Sequence, residues 1–273
     1  MSAAFEQLHA CMGTVFRFAG QTPFEPDRTR IILEQAFAML DEADRTFSLY
    51  KPESPLSRLA RGETNVASCP PVVSEVWDLC EAWEKTTDGW FSAFTPQNTF
   101  DPSGLVKTWA AAQAANHLYA NGIDDFTMNA GGDVYISTKA SNPIDWRIGV
   151  GKPVSIASSD AGVLTVLDLL GSGFSAMATS GTAERGEHIW NPKAAEKAAA
   201  NELVQVSVVA RDLLTADVWA TAAFAMGPRA IDILNAHNSQ NPEASVQALL
   251  VWPNGELGAT DGLINLFAKP DQN

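Results

Sequence analysis

DPSGLVKTWAAAQAANHLYANG, residues 101–122, runs into FTMNAGGDVYIS at 126–137. In the first stretch Leu105, Val106, Trp109, Ala112 and Leu118 recur at helical spacing. Ser103 stands where an N-cap belongs, and Gly122 stands where the helix must stop. The second stretch is strand-like and is interrupted by Gly131-Gly132, a pairing that suggests a bulge or a close approach of backbone. Working outward, Asp27–Phe47 reads as a helix with Asp27 as its cap and Leu33, Ala36, Phe37, Leu40, Ala43 and Phe47 inward. Ser74 to about Thr87 reads as another helix, and the Ser- and Pro-rich segment Ser48–Pro71 between them as a long ordered loop. Strand signals follow at Trp146–Val150, Val163–Leu170, Phe174–Thr179, Val204–Ala210 and Val246–Trp252, with a hairpin turn at Pro253-Asn254-Gly255 and a last short run at Ile264–Ala268. Thr215–Met226 reads as an alanine-rich helix, and Pro228 as the first turn of a further one through about Ala236. Helices come early and strands come in adjacent runs without β-α-β alternation. The expected class is α+β, a mixed or antiparallel sheet core flanked by helices.

The chain has 273 residues, 18 Lys plus Arg against 32 Asp plus Glu, and a net charge of −14. An apolar content of 46% with only 18% charged residues is that of a globular protein with a sizeable core, and the length suits one domain over 1–273 built of two intergrown lobes. The carboxylate excess argues against nucleic acid as a partner, because a phosphate backbone is repelled over most of such a surface. Cys11, Cys69 and Cys80 are odd in number, lack a C-x-x-C pair and have spacings that suit no zinc site, so reduced thiols are expected. The opening MSAAFEQLHACMGTVFRF has neither the basic start nor the apolar run of a signal peptide, and no stretch reaches the roughly 18 apolar residues of a membrane span. The expectation is a cytoplasmic protein with no membrane span.

Four segments can carry chemistry. Asp101-Pro-Ser-Gly104-Leu-Val-Lys107 opens the 103–120 helix, where free backbone N–H groups and a first-turn lysine suit a phosphate, with Asp101 accepting from a sugar or ring donor. The same residues also read as a plain cap with a solvated lysine. Asp217 and Thr221 lie four apart on one helix face, a pairing that suits a hard cation such as Mg²⁺, or else a dipole-favoured acid and a back-bonded threonine. Ala178-Thr179-Ser180-Gly181 ends a strand in small polar residues, and His188 is the best general-base candidate among four histidines. Gly131-Gly132-Asp133 is the fourth.

In order along the chain, Met12-Gly13-Thr14, Phe47-Ser48-Leu49-Tyr50 with Ser54-Pro-Leu-Ser57, Gly89-Trp-Phe-Ser-Ala93 and Asp101–Lys107 come first. Asn129-Ala-Gly-Gly-Asp133, Ala178–Gly181, His188-Ile-Trp-Asn-Pro192 and Ala216-Asp-Val-Trp-Ala-Thr221 complete the set. Each is weak alone, but the ordered set over some 210 residues resembles the ApbE family, the FAD:protein FMN transferases. The resemblance implies an ApbE-like, T-fold-related architecture and an enzyme that moves FMN from FAD to a Ser or Thr hydroxyl of a target flavoprotein, with Mg²⁺ as cofactor and release of AMP. It implies FAD contacts from Met12, Tyr50, Trp90, Phe91, Ser92, Asp101, Lys107 and Ile189. It implies a metal held by the Gly104 carbonyl with Asp217, Ala220 and Thr221. The catalytic candidates are then His188 and Asp217, and because Asp217 cannot easily be both metal ligand and free base, His188 is the proton-transfer group. The partners implied are FAD and an acceptor protein. The alternatives are an FAD pyrophosphatase yielding FMN and AMP, and a non-catalytic FAD-binding protein. Compared with the family's usual pattern, Ser92 and Asn191 replace acids and Thr108 replaces a glycine.

Overall fold

The computed structural model describes residues 2–138, 146–156, 162–181, 192–193 and 203–268. The chain forms two compact units, residues 1–142 and 143–273.

The first unit contains four antiparallel strands in the order β1-β2-β3-β4: β1 (Ala3–Cys11), β2 (Thr14–Thr22), β3 (Asp125–Ala130) and β4 (Asp133–Ser137). Both of its tight turns have two residues with positive φ, Met12 and Gly13 at 52° and 72°, and Gly131 and Gly132 at 66° and 103°. That twist is the one that lets two strands pair directly across a two-residue loop. The stretch 126–137 is therefore a hairpin rather than one bulged strand. Ala130 pairs with Asp133, and the glycines make the turn. The β1–β2 hairpin has no counterpart among the sequence expectations. Its burial is irregular, with Leu8 62% exposed on the outer strand, so no clean alternation marks it.

Four helices complete this unit: α1 (Pro26–Phe47), α2 (Pro55–Ala60), α3 (Pro71–Thr86) and α4 (Ser103–Ala120). α1 buries Leu33, Ala36, Leu40, Ala43 and Phe47 as the periodicity predicts. Its cap position is Glu25, with Pro26 opening the helix and Asp27 inside the first turn. The 48–71 segment is not a continuous loop. Ser54 caps α2 by accepting from the Ser57 amide at 3.0 Å, Pro55 supplies the first helical φ, and a 3₁₀ turn, Val66–Ser68, follows. α4 packs on α1 and buries Ala110, Ala111, Ala114, Ala115 and Leu118. The small side chains let neighbours approach it on more than one side. The alanines count for space here as much as for helix propensity. The helix ends as expected: the Ile123 amide reaches back to Leu118 across Gly122, whose φ is 84°.

In the second unit β5 (Arg147–Gly151) pairs with β6 (Val163–Asp168), and β7 (Ala176–Gly181), β8 (Gln205–Ala210), β9 (Gln247–Val251) and β10 (Leu257–Ala259) form an antiparallel order β7-β8-β9-β10. Every residue of β8 and β9 is buried, the polar Gln205, Ser207 and Gln247 included, so burial does not alternate along these strands. α5 (Leu213–Met226) lies on β7 and β8. Pro228 opens a 3₁₀ turn, Gly227–Arg229, before α6 (Ala230–Gln240), which runs past Ala236. The turn at 253–255 closes the β9–β10 hairpin, with the Trp252 amide donating to Glu256 O at 3.0 Å. The run at 264–268 begins as a 3₁₀ turn, Leu263–Leu266. Every described pairing within each unit is antiparallel, and the class is α+β.

Candidate functional site

The start of α4 is organised by Asp101 rather than by Ser103. Asp101 Oδ1 accepts from the Ser103 amide at 3.0 Å and from the Ser103 hydroxyl at 2.5 Å, while Pro102 occupies the cap position and Gly104 is the second helical residue. A carboxylate is the better acceptor where the first amides are unpaired and the helix end is positive, so the aspartate takes the capping role. The Asp101 amide donates to Ala93 O at 2.7 Å, which ties this turn to the segment Gly89–Ala93.

One turn into the helix, Lys107 is neither solvated nor facing outward alone. Its side chain is 12% exposed, and its Nζ lies 2.5 Å from a carboxylate oxygen of Asp133, which is 1% exposed. The Gly131-Gly132 turn delivers that aspartate. A Cβ added to Gly131 would overlap the Thr14 side chain, so this turn is seated against the first residue of β2. Three segments far apart in sequence, 12–14, 101–107 and 129–133, thus meet at one end of the first unit. Asn129 supports the turn by accepting from the Gly132 amide at 3.0 Å.

The other flavin candidates of this unit are placed unequally. Tyr50 is 89% exposed, whereas Trp90 and Phe91 are buried. The Phe91 amide donates to the Thr87 hydroxyl at 3.0 Å, and Ser92 Oγ accepts from the Phe94 amide at 3.1 Å. Met12 is half-buried at the hairpin tip. Among the cysteines, burial first, then Asp44 and Asp41, push the Cys11 thiol up to about 12; burial, then Glu84 and Asp101, do the same for Cys80.

In the second unit Asp212 caps α5, its Oδ1 accepting from the Thr215 amide at 2.8 Å and its Oδ2 from the Thr215 hydroxyl at 2.7 Å. That moves Asp217 into the second turn and overturns its reading as a first-turn acid held by the dipole. It is 6% exposed on an alanine-rich helix with Ala220 fully buried beside it. Thr221, one turn on, has its Oγ1 3.4 Å from Ser180 Oγ on β7. Thr179, next along β7, points to the opposite face and hydrogen-bonds Ser207 at 2.8 Å. The two segments 178–181 and 216–221 are therefore joined through Ser180 and Thr221. A carboxylate and two hydroxyls are hard oxygen donors without nitrogen or sulfur, a set that fits Mg²⁺ better than a softer ion. His188 and Ile189 lie outside the described residues. So Ile189 apart, the flavin candidates belong to the first unit, and Gly104 apart, the metal candidates belong to the second.

Asp133 and Ser180 lie inside motifs visible in the sequence, but their roles come only from the structure. The signal for both was position: an acid just after a glycine turn, and a hydroxyl on the strand face opposite Thr179.

Residues 93–245, more than half of the chain, match the family model described as ApbE family. This chain belongs to the ApbE family. Similar proteins include those named FAD:protein FMN transferase from Vibrio cholerae serotype O1, 28% identical over 140 residues, and from Klebsiella pneumoniae, 29% identical over 140 residues. Each match covers 48% of this chain and 40% of the relative, so the chain matches about two fifths of the length of these relatives. Among solved structures, the flavin transferase ApbE from Vibrio cholerae superposes with a TM-score of 0.76 at 18% identity, covering 97% of this chain and 100% of that one. The ApbE protein from Thermotoga maritima gives 0.76 at 21%, covering 98% and 100%, and the apo flavinyl transferase ApbE from Pseudomonas stutzeri 0.78 at 17%, covering 98% of each. These likenesses establish the fold. No helix among the described residues is long and apolar enough to cross a membrane.

Proposed function

We propose that this protein is an FAD:protein FMN transferase that moves FMN from FAD to a Ser or Thr hydroxyl of a target flavoprotein, releases AMP and depends on Mg²⁺. The observation that carries this reading is the convergence of 12–14, 101–107 and 129–133 around the Lys107–Asp133 pair in a member of the ApbE family.

The reaction is a displacement at phosphorus. An O–P bond forms from the acceptor hydroxyl to the FMN phosphate, the pyrophosphate bond breaks, and AMP leaves. Met12, Tyr50, Trp90, Ser92, Asp101 and Lys107 hold the dinucleotide, with Phe91 supporting them from the core. Lys107 is oriented by Asp133, which prevents an otherwise mobile ammonium from swinging into solvent. The carboxylate of Asp217, the Thr221 hydroxyl and the Ala220 carbonyl would hold the cation. Mg²⁺ bound there would polarise the phosphoryl oxygens and stabilise the leaving AMP. A serine or threonine hydroxyl is a weak nucleophile near neutral pH, and His188 accepts its proton. Asp217 is committed to the cation and does not serve as the free base.

Incubation with FAD, Mg²⁺ and an acceptor domain should give flavin covalently attached to the acceptor, with AMP in equal amount. Free FMN without an acceptor would make the protein a pyrophosphatase. Stoichiometric FAD that survives added Mg²⁺ would make it a flavin-binding protein, and either result overturns the transferase reading.

A further inference from the structure

The spacing of the three cysteines suits no zinc site, yet the fold builds a donor set around one of them. His9 and Cys11 are two apart on β1 and so project to the same face. α1 packs on that face, and its Asp41 brings a carboxylate oxygen to 2.8 Å from His9 Nε2. One ligand atom each from His9, Cys11 and Asp41 lie within 4.8 Å of one another. The imidazole is held flat against Phe37, ring centroids 4.7 Å apart and planes 2° from parallel, so its Nε2 is aimed rather than free to turn. Phe37 and Asp41 are four apart on α1, so a single helix face both orients the histidine and supplies the oxygen.

We propose that His9 Nε2, Cys11 Sγ and Asp41 form a binding site for a borderline divalent cation of the Zn²⁺ type, distinct from the hard-oxygen site of the second unit. Nitrogen and sulfur donors select Zn²⁺ over Mg²⁺. Bonds of about 2.0–2.3 Å place tetrahedral ligands roughly 3.3–3.8 Å apart. The described atoms reach that spacing when the His9–Asp41 hydrogen bond opens and the cation takes its place. Cys11 is buried while the Asp41 side chain is half exposed, so the fourth position faces solvent and takes water. Asp44, a further carboxylate near the thiol, is ion-paired to Lys51 at 2.5 Å. On binding, the S–H bond is exchanged for an S–metal bond and the proton leaves to solvent. No electron moves. The ion staples β1 to α1 immediately before the Met12-Gly13 turn.

The test uses the full chain and Co²⁺ as a visible stand-in, with Zn²⁺ competition to give the affinity. One Co²⁺ per chain should bind with a thiolate-to-cobalt charge-transfer band. Cys11→Ser should abolish that band and weaken Zn²⁺ at least tenfold, and Cys69→Ser should change neither. His9→Gln and Asp41→Asn, at less buried positions, should each weaken Zn²⁺ at least tenfold while the far-ultraviolet dichroism stays that of the parent. They decide the matter if the Cys11 variant does not fold. Asp217→Ala should leave Zn²⁺ binding intact, which separates this site from the proposed Mg²⁺ site. Absence of a charge-transfer band in the parent, its survival in Cys11→Ser, or unchanged Zn²⁺ affinity in the His9 and Asp41 variants would overturn the proposal.

Discussion

The two units hold their buried polar groups by different means. In the first, a lysine from the second turn of α4 is matched to an aspartate delivered by a glycine turn, so charge is cancelled inside the protein. In the second, Thr221 on α5 meets Ser180 on β7 directly, and Asp217 is buried one turn before Thr221 on the same helix. The first arrangement is paid for by backbone geometry, since both turns at that end require positive φ. The second depends on close helix–strand packing, which the alanines of α5 permit. One unit therefore stands or falls with its turns and its ion pair, and the other with the spacing of α5 on β7.

That contrast orders a set of substitutions. Lys107→Ala leaves a buried carboxylate without its cation and should cost about 3–5 kcal/mol of stability in urea unfolding. Adding Asp133→Ala should recover part of that loss, and equal destabilisation of the single and double variants would mean the pair is not what Lys107 contributes. Asp217→Ala should lower Mg²⁺-dependent AMP release about 100-fold, equivalent to about 2.7 kcal/mol, with FAD binding retained. Unchanged turnover would end the assignment of the cation to α5. Gly131→Ala forces a side chain into a positive-φ residue and against Thr14, and should lower stability by about 1–3 kcal/mol. Gly13→Ala, at a similar φ but with open space around the new Cβ, should cost only about 1 kcal/mol. If the two glycine variants melt alike, the Thr14 contact carries no weight. Ser180→Ala removes a long hydroxyl contact to Thr221 and should shift stability by less than about 1 kcal/mol, with the larger change in the Mg²⁺ dependence of AMP release. A purely thermal effect would make Ser180 a packing residue.

The helices α1, α3, α4 and α5 were readable because a 3.6-residue period and an end signal are local properties. Gly122 and the turn at 253–255 did what such residues do anywhere. α2 lies inside the segment that reads as a loop from its composition, although a capping serine followed by proline is also how a short helix begins. The β1–β2 hairpin escaped because its outer strand is largely exposed, which leaves no alternation to detect.

The α+β class, the family and the order of its motifs were legible in the amino-acid sequence, since each follows from residue type and short-range spacing. Tertiary structure alone decided which side chains meet. His9 and Asp41 are 32 residues apart, and Ser180 and Thr221 are 41 apart. The partner of Lys107 is likewise set by where a glycine hairpin lands. Such meetings depend on how strands register and helices pack, and no local period records that. Cys11 shows the difference most plainly: cysteine spacing alone indicated an ordinary thiol, and the packing of α1 on β1 surrounds it with a histidine and a carboxylate.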